Sequence, residues 1–226
     1  MKNNINGNFK LVISLIALFL VLVGDAFGLV MLNDSDGGFP PPNVEATSGN
    51  ETIRQLVNES ASCFFKSYGQ FMFFLNEVEL GELNGVNFSS LQLHIDAATA
   101  YMKTCQNTYN SLNILADSTP YKEDFISRLK EFDYDAFRKE KKLTLEIFEE
   151  VKSYLKKGDI KGMYKKALLE TQQILDSLNG MKEEVDSFYA PTTDKIWELN
   201  NSYYNLTIWG QYSSMIFVEV KRNLNL

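Results

Sequence analysis

Two stretches of the chain step their apolar residues by alternating fours and threes, a spacing that packed helices satisfy and strands do not. Leu91, Ile95, Ala98, Met102, Cys105, Tyr109 and Leu112 form the first stripe. Ile160, Tyr164, Ala167, Thr171, Ile174, Leu178, Met181, Val185 and Phe188 form the second. A mean step of about 3.5 residues keeps one stripe against a neighbouring helix in left-handed, coiled-coil-like packing. From residue 51 onward the same three-and-four spacing recurs, and no stretch alternates apolar and polar residues in the manner of a half-buried strand.

The pattern predicts long helices over about 51–81, 88–116, 134–157, 159–189 and 191–222, with a short one near 122–131. The breaks between them have local causes. "GELNGVN" holds two glycines and two asparagines, "DSTP" ends in proline, "KKGD" supplies a glycine stop and an aspartate start, and Ala190-Pro191 restarts the chain. Connections this short make sequential helices antiparallel neighbours. The expected fold is therefore all-α: an elongated antiparallel bundle of four to five long helices forming one domain over 51–222.

The N-terminus carries two lysines and no acid in its first ten residues, followed by thirteen residues, Leu11 to Val23, without a charge or a proline. A basic head before a short apolar body is the export-signal pattern, with small residues placing cleavage after Ala26 or Gly28 and making 1–28 a signal peptide. The alternative extends the run through Leu32, giving a membrane anchor over 11–32 with Asp25 inside it. Residues 29–50, with Pro40, Pro41 and Pro42 between Gly37-Gly38 and Ser48-Gly49, read as a disordered linker.

Residues 29–226 carry 20 lysines and arginines against 28 acids, a balance that disfavours nucleic acid and anionic membrane as general partners. The sign is uneven. Residues 29–120 hold three basic residues against ten acidic, whereas 121–170 hold thirteen against eleven.

Cys63 and Cys105 lie equally far from the turn centred on Asn84, which puts them at one height in an ideal antiparallel hairpin. With Cys105 on the inward stripe and Cys63 on the face of Leu56, Ser60, Ser67 and Phe71, the expectation is a disulfide between them. His94 is the only histidine, and it has neither a Glu-x-x-His partner nor a CxxCH context. No phosphate-cradling glycine loop or nucleophile elbow occurs, and adjacent carboxylate pairs such as Glu149-Glu150 diverge on a helix. The reading assigns no catalytic residue, no cofactor and no metal.

Aromatic residues supply the remaining signal. "SASCFFKSYGQFMFFLNE" places Phe64, Phe71, Phe74 and Leu75 on one face and leaves Phe65 and Phe73 in want of a second surface. The last helix spreads Trp197, Tyr203, Tyr204, Trp209, Tyr212 and Phe217 around more than one side. Phe65, Phe73, Trp197, Tyr204, Trp209 and Tyr212 are the candidate partner or ligand surface. The expected function is that of an exported, non-enzymatic binding or scaffold bundle whose partner is a protein or a small molecule, touching membrane only through an uncleaved N-terminus. A membrane-tethered sensor-like ligand-binding module and an enzyme with an unrecognised site are the alternatives.

Overall fold

A computed structural model of the chain describes residues 44–118 and 123–222. The export signal or anchor, and the linker before Val44, lie outside the described residues. Among those residues every regular element is a helix: α1 (Val44–Asn84), α2 (Phe88–Ser118), α3 (Glu123–Glu131), α4 (Tyr134–Lys141), α5 (Leu145–Leu155), α6 (Ile160–Asp186) and α7 (Thr193–Arg222). Four are long and three short. α1 starts seven residues before the expected boundary at 51, so the end of the stretch read as linker is helical.

α1, α2, α6 and α7 alternate in direction. Between α2 and α6, Gln92 reaches Asp186, Lys182 reaches Asp96 and Gln106 reaches Gln172, an antiparallel series along most of both helices. The two helices pack closely along this length. Its inward residues are the expected stripes: Leu91, Ile95, Ala98, Met102, Cys105 and Leu112 are all buried, as are Ala167, Thr171, Ile174, Leu178, Met181 and Val185. Two stripe positions depart from the pattern. Met163 rather than Tyr164 faces inward, and Phe188 projects outward because α6 stops at Asp186 and Phe188 takes a left-handed φ of 64°.

α1 joins the bundle through aromatic rings. Phe64, Tyr68 and Phe71 surround the fully buried Tyr203 of α7 at ring separations of 5.0 to 5.6 Å. A polar relay runs through the same spot. Ser67 spends its one hydroxyl proton on the Ala98 carbonyl of α2 at 2.7 Å, so the Tyr203 hydroxyl must be the donor in its 2.7 Å bond to Ser67 Oγ. Beside it Tyr68 donates to Asn200 Oδ1 at 3.2 Å, which satisfies a buried amide oxygen.

The short helices pack against the second half of α7. Phe125 of α3 meets Phe217, and Phe148 of α5 meets Tyr212. The single helix expected over 134–157 is two, α4 and α5. Lys142 takes a left-handed φ of 54°, and the backbone N–H of Thr144, left without a helical partner, donates to Tyr212 Oη at 3.0 Å. Asp133 caps α4 through Ala136 N and Asp159 caps α6 through Gly162 N.

The expected Cys63–Cys105 disulfide is corrected: both residues are buried free thiols. The hairpin is staggered. Cys105 Sγ points at the Ser60 carbonyl at 3.5 Å, in line with the Ser67–Ala98 and Gln70–His94 contacts further along. The level partner of Cys105 is therefore Ser60, and Cys63 sits three residues, about 4.5 Å, along the axis.

Gly158, in the α5–α6 turn, shows where the packing has no slack. Its φ is +72°, and an added Cβ would stand 2.7 Å from Ile126 Cγ2 of α3. Gly158→Ala is expected to lower stability by about 2 kcal/mol. Gly69→Ala, in mid-α1 with nothing within 4 Å of the new methyl, is expected to raise it by roughly 0.5 kcal/mol. Denaturant midpoints of the two variants decide both, and equal midpoints would refute the contrast.

Candidate functional site

The α1–α7 register sorts the candidate aromatic residues. Hydrogen bonds from Tyr203 to Ser67 and from Tyr68 to Asn200 fix the two helices antiparallel. Phe64 and Phe71 of α1 and Ile196 and Tyr203 of α7 point inward. One residue beyond an inward position turns about 100° around a helix, and on antiparallel neighbours that rotation leads to the same side of their seam. Phe65 thus lies level with Tyr204, and Met72 level with Trp197, along one outer edge. Trp197 is 37 % exposed and Tyr204 45 %, while Phe65 and Met72 are half-buried. Phe65 is fixed edge-on against Phe64, so its ring orientation is set by the core behind it.

Trp209 and Tyr212 do not belong to this surface, a correction to their place in the candidate set. Both are buried, and Tyr212, packed against Phe148 of α5, spends its hydroxyl on Thr144, at 2.8 Å from Oγ1 and 3.0 Å from the backbone nitrogen. Helical phase decides the difference for Trp209: it continues the buried stripe Leu206, Ser213, Ile216 and Val220 at steps of three and four, whereas Trp197 lies off that stripe.

Phe73 lies on the opposite flank of α1. It is 58 % exposed and stacks on the His94 ring at 5.5 Å, while His94 Nδ1 meets Gln70 Oε1 at 2.9 Å. One helical heptad away, Lys66 lies over the Tyr101 ring at 5.8 Å, so this flank is tied by stacking and cation–π contacts. The histidine is committed to an amide and a ring.

Burial controls the chemistry of the remaining nucleophile candidates. Cys105 is sealed, and desolvation together with the neighbouring Cys63 pushes its thiol well above the ordinary range. Cys63 is raised as well, by burial and by Glu59. A thiol held in its protonated form is a poor nucleophile. Lys166, strongly raised, is held by Glu170 and Glu150 at 2.8 and 2.9 Å against the opposing effect of its burial, an arrangement that joins α5 to α6. Among the described residues no three potential metal ligands converge, and no helix is long and apolar enough to cross a membrane.

Met72 is the residue of the edge that pattern reading missed. Its seven-residue spacing from Phe65, matching that of Trp197 and Tyr204, is the signal that marks it. Comparison of the chain with models of known protein families, with curated proteins and with solved structures finds no match.

Proposed function

We propose that this is an exported, non-enzymatic binding protein whose recognition surface is the Phe65–Met72–Trp197–Tyr204 edge of the α1–α7 seam. The observation that carries the reading is the pairing of an exposed tryptophan and an exposed tyrosine one heptad apart, backed on the facing helix by half-buried Phe65 and Met72. Large amphipathic rings on rigid helices give contact area at low entropic cost and dominate binding surfaces. The basic head and apolar body at the N-terminus support export, with 1–28 removed or 11–32 retained as an anchor. The sealed thiols and the committed histidine support a binding role over catalysis.

The test is purification from the compartment where the protein accumulates, with sequencing of the mature N-terminus and identification of the bound component. Trp197→Ala combined with Tyr204→Ala is expected to keep the helical circular dichroism of the parent and to lose that component at least tenfold. A component retained unchanged by the double variant contradicts the assigned surface. An intact Met1 on released protein contradicts the processed form.

A further inference from the structure

The chain contains six Asn-x-Ser/Thr triplets, the acceptor pattern for N-linked oligosaccharide, beginning at Asn33, Asn50, Asn58, Asn87, Asn200 and Asn205. The side chains of Asn33 and Asn50 lie outside the described residues, and the fold separates the other four. Asn200 is buried, and its Oδ1 accepts the Tyr68 hydroxyl at 3.2 Å. A sugar on its Nδ2 would require the α1–α7 seam to open. Asn58 and Asn205 are exposed, but each lies within a long helix, and the hydroxyl of its triplet is bonded back into that helix. Ser60 donates to the Val57 carbonyl and Thr207 to the Tyr203 carbonyl, both at 2.8 Å. Ser202, the third residue of the Asn200 triplet, donates to the Glu198 carbonyl at 3.0 Å.

Asn87 differs. It is exposed in the α1–α2 turn, after Gly85, whose φ is +90°, and the exposed Val86. Phe88 and Ser89 open α2, where the first backbone N–H groups have no helical carbonyl to bind, so the triplet is not held in the helix ladder on both sides. Ser89 is exposed as well. Asn87 caps α2 through its oxygen: Oδ1 accepts from the Ser90 backbone N–H at 3.2 Å. The amide nitrogen, the atom that carries the sugar in an N-linked glycan, takes no part in that bond. Cap and modification are therefore compatible at this residue.

We propose that Asn87 is the N-glycosylation acceptor of the folded protein and that Asn200 is excluded as one. The transfer is a substitution at the anomeric carbon of a lipid-diphosphate-linked oligosaccharide. Nδ2 of Asn87 forms the new C–N bond and loses a proton, while the C–O bond to the diphosphate breaks and the lipid diphosphate leaves with the electron pair. The inference rests on the export reading for access to donor and transferase, and on the fold for the choice of residue.

The experiment keeps the two apart. Folded, full-length chain is incubated with a single-subunit oligosaccharyltransferase and a lipid-diphosphate-linked chitobiose donor, and peptide mass spectrometry reads the occupancy of each triplet. Synthetic peptides spanning the same four triplets are the unfolded references, and each site is scored relative to its own peptide. A triplet inside a helix must open locally before it is read, so the score at Asn87 is expected to exceed those at Asn58 and Asn205 at least tenfold, with no sugar on Asn200. Ser89→Ala, at an exposed position that leaves the Asn87 cap in place, is expected to abolish modification of Asn87 while keeping the circular dichroism of the parent. The proposal is overturned by an unmodified Asn87, by a score at Asn58 or Asn205 equal to that at Asn87, or by sugar on Asn200 in protein that retains its helical signal. In a second arm the full chain is expressed in a eukaryotic secretory cell. Secreted protein with a glycan on Asn87 supports both readings, and secreted protein bare at Asn87 overturns this one. A chain kept inside the cell with Met1 intact contradicts export alone, because the reconstituted reaction still decides the site.

Discussion

Above about pH 10 the bundle is expected to lose its helices cooperatively, and to lose them over a narrow range. Burial pushes the Tyr68 phenol up to about 12 and those of Tyr134 and Tyr203 higher still, and the Cys105 thiol is raised in the same way. In the unfolded chain a phenol ionises near 10 and a thiol near 8.5. Between those values and the folded ones, the unfolded state has released protons that the native state retains. Stability then falls as pH rises. The contribution of these groups is fully present below about pH 8, and Cys105 begins to withdraw its share first. Each sealed phenol then removes about 1.4 kcal/mol per pH unit above 10, so the three together remove about 4 kcal/mol per unit. A domain with a total stability of about 5–15 kcal/mol does not survive two or three such units. Far-ultraviolet circular dichroism and tyrosinate absorbance followed together against pH give the check. Helix retained at about pH 12 while all phenols are ionised would contradict the burial assigned to these residues.

Tyr203→Ala is expected to be among the most damaging single substitutions in the domain, at about 4 kcal/mol. The residue is fully buried, its ring is contacted by Phe64, Tyr68 and Phe71, and its hydroxyl is the donor that completes the Ser67 relay. Tyr203→Phe separates the two contributions. It keeps the ring stack and removes one hydrogen bond while Ser67 keeps Ala98, for an expected loss of about 1 kcal/mol. Phe73→Ala, which removes a ring of similar size from an exposed position, is expected to cost about 0.5 kcal/mol. Equilibrium denaturation of the three variants orders them. A Tyr203→Ala protein as stable as Phe73→Ala would show that α7 does not seat on α1 as described.

The contrast between those two aromatic residues indicates which parts of the structure were legible in the sequence. The α2 and α6 stripes could be read almost residue by residue, because a 3.5 step records which side of a helix meets its neighbour. The face of α1 bearing Ser60, Cys63, Ser67 and Phe71 was legible for the same reason. The stagger of α1 against α2 was not, because it depends on how rings and small residues interlock across the seam, and it separates Cys63 from Cys105. The break at Lys142–Thr144 was hidden as well. Its stabilising partner, Tyr212, is 68 residues away in sequence, while the apolar rhythm continues through the break. Trp197 and Trp209 look alike as letters on one helix. Twelve residues separate them by about 120° around the helix, and only Trp209 falls on the buried stripe with Leu206, Ser213, Ile216 and Val220.

The Ser67–Tyr203 bond closes a loop of 136 residues, tying the first helix of the bundle to the last. Phe64, Tyr68 and Phe71 therefore have no complete burial site until residues near 203 have been synthesised. Helices α2 and α6 can pair earlier, since their contacts span shorter stretches of chain. The order of assembly implied is an inner hairpin-like pair first, then capture of α1 as α7 arrives, with the slow step set by the longest closure. Until that step the aromatic face of α1 remains exposed, so the interval before α7 emerges is when the protein is most vulnerable to aggregation and when a chaperone has most to hold.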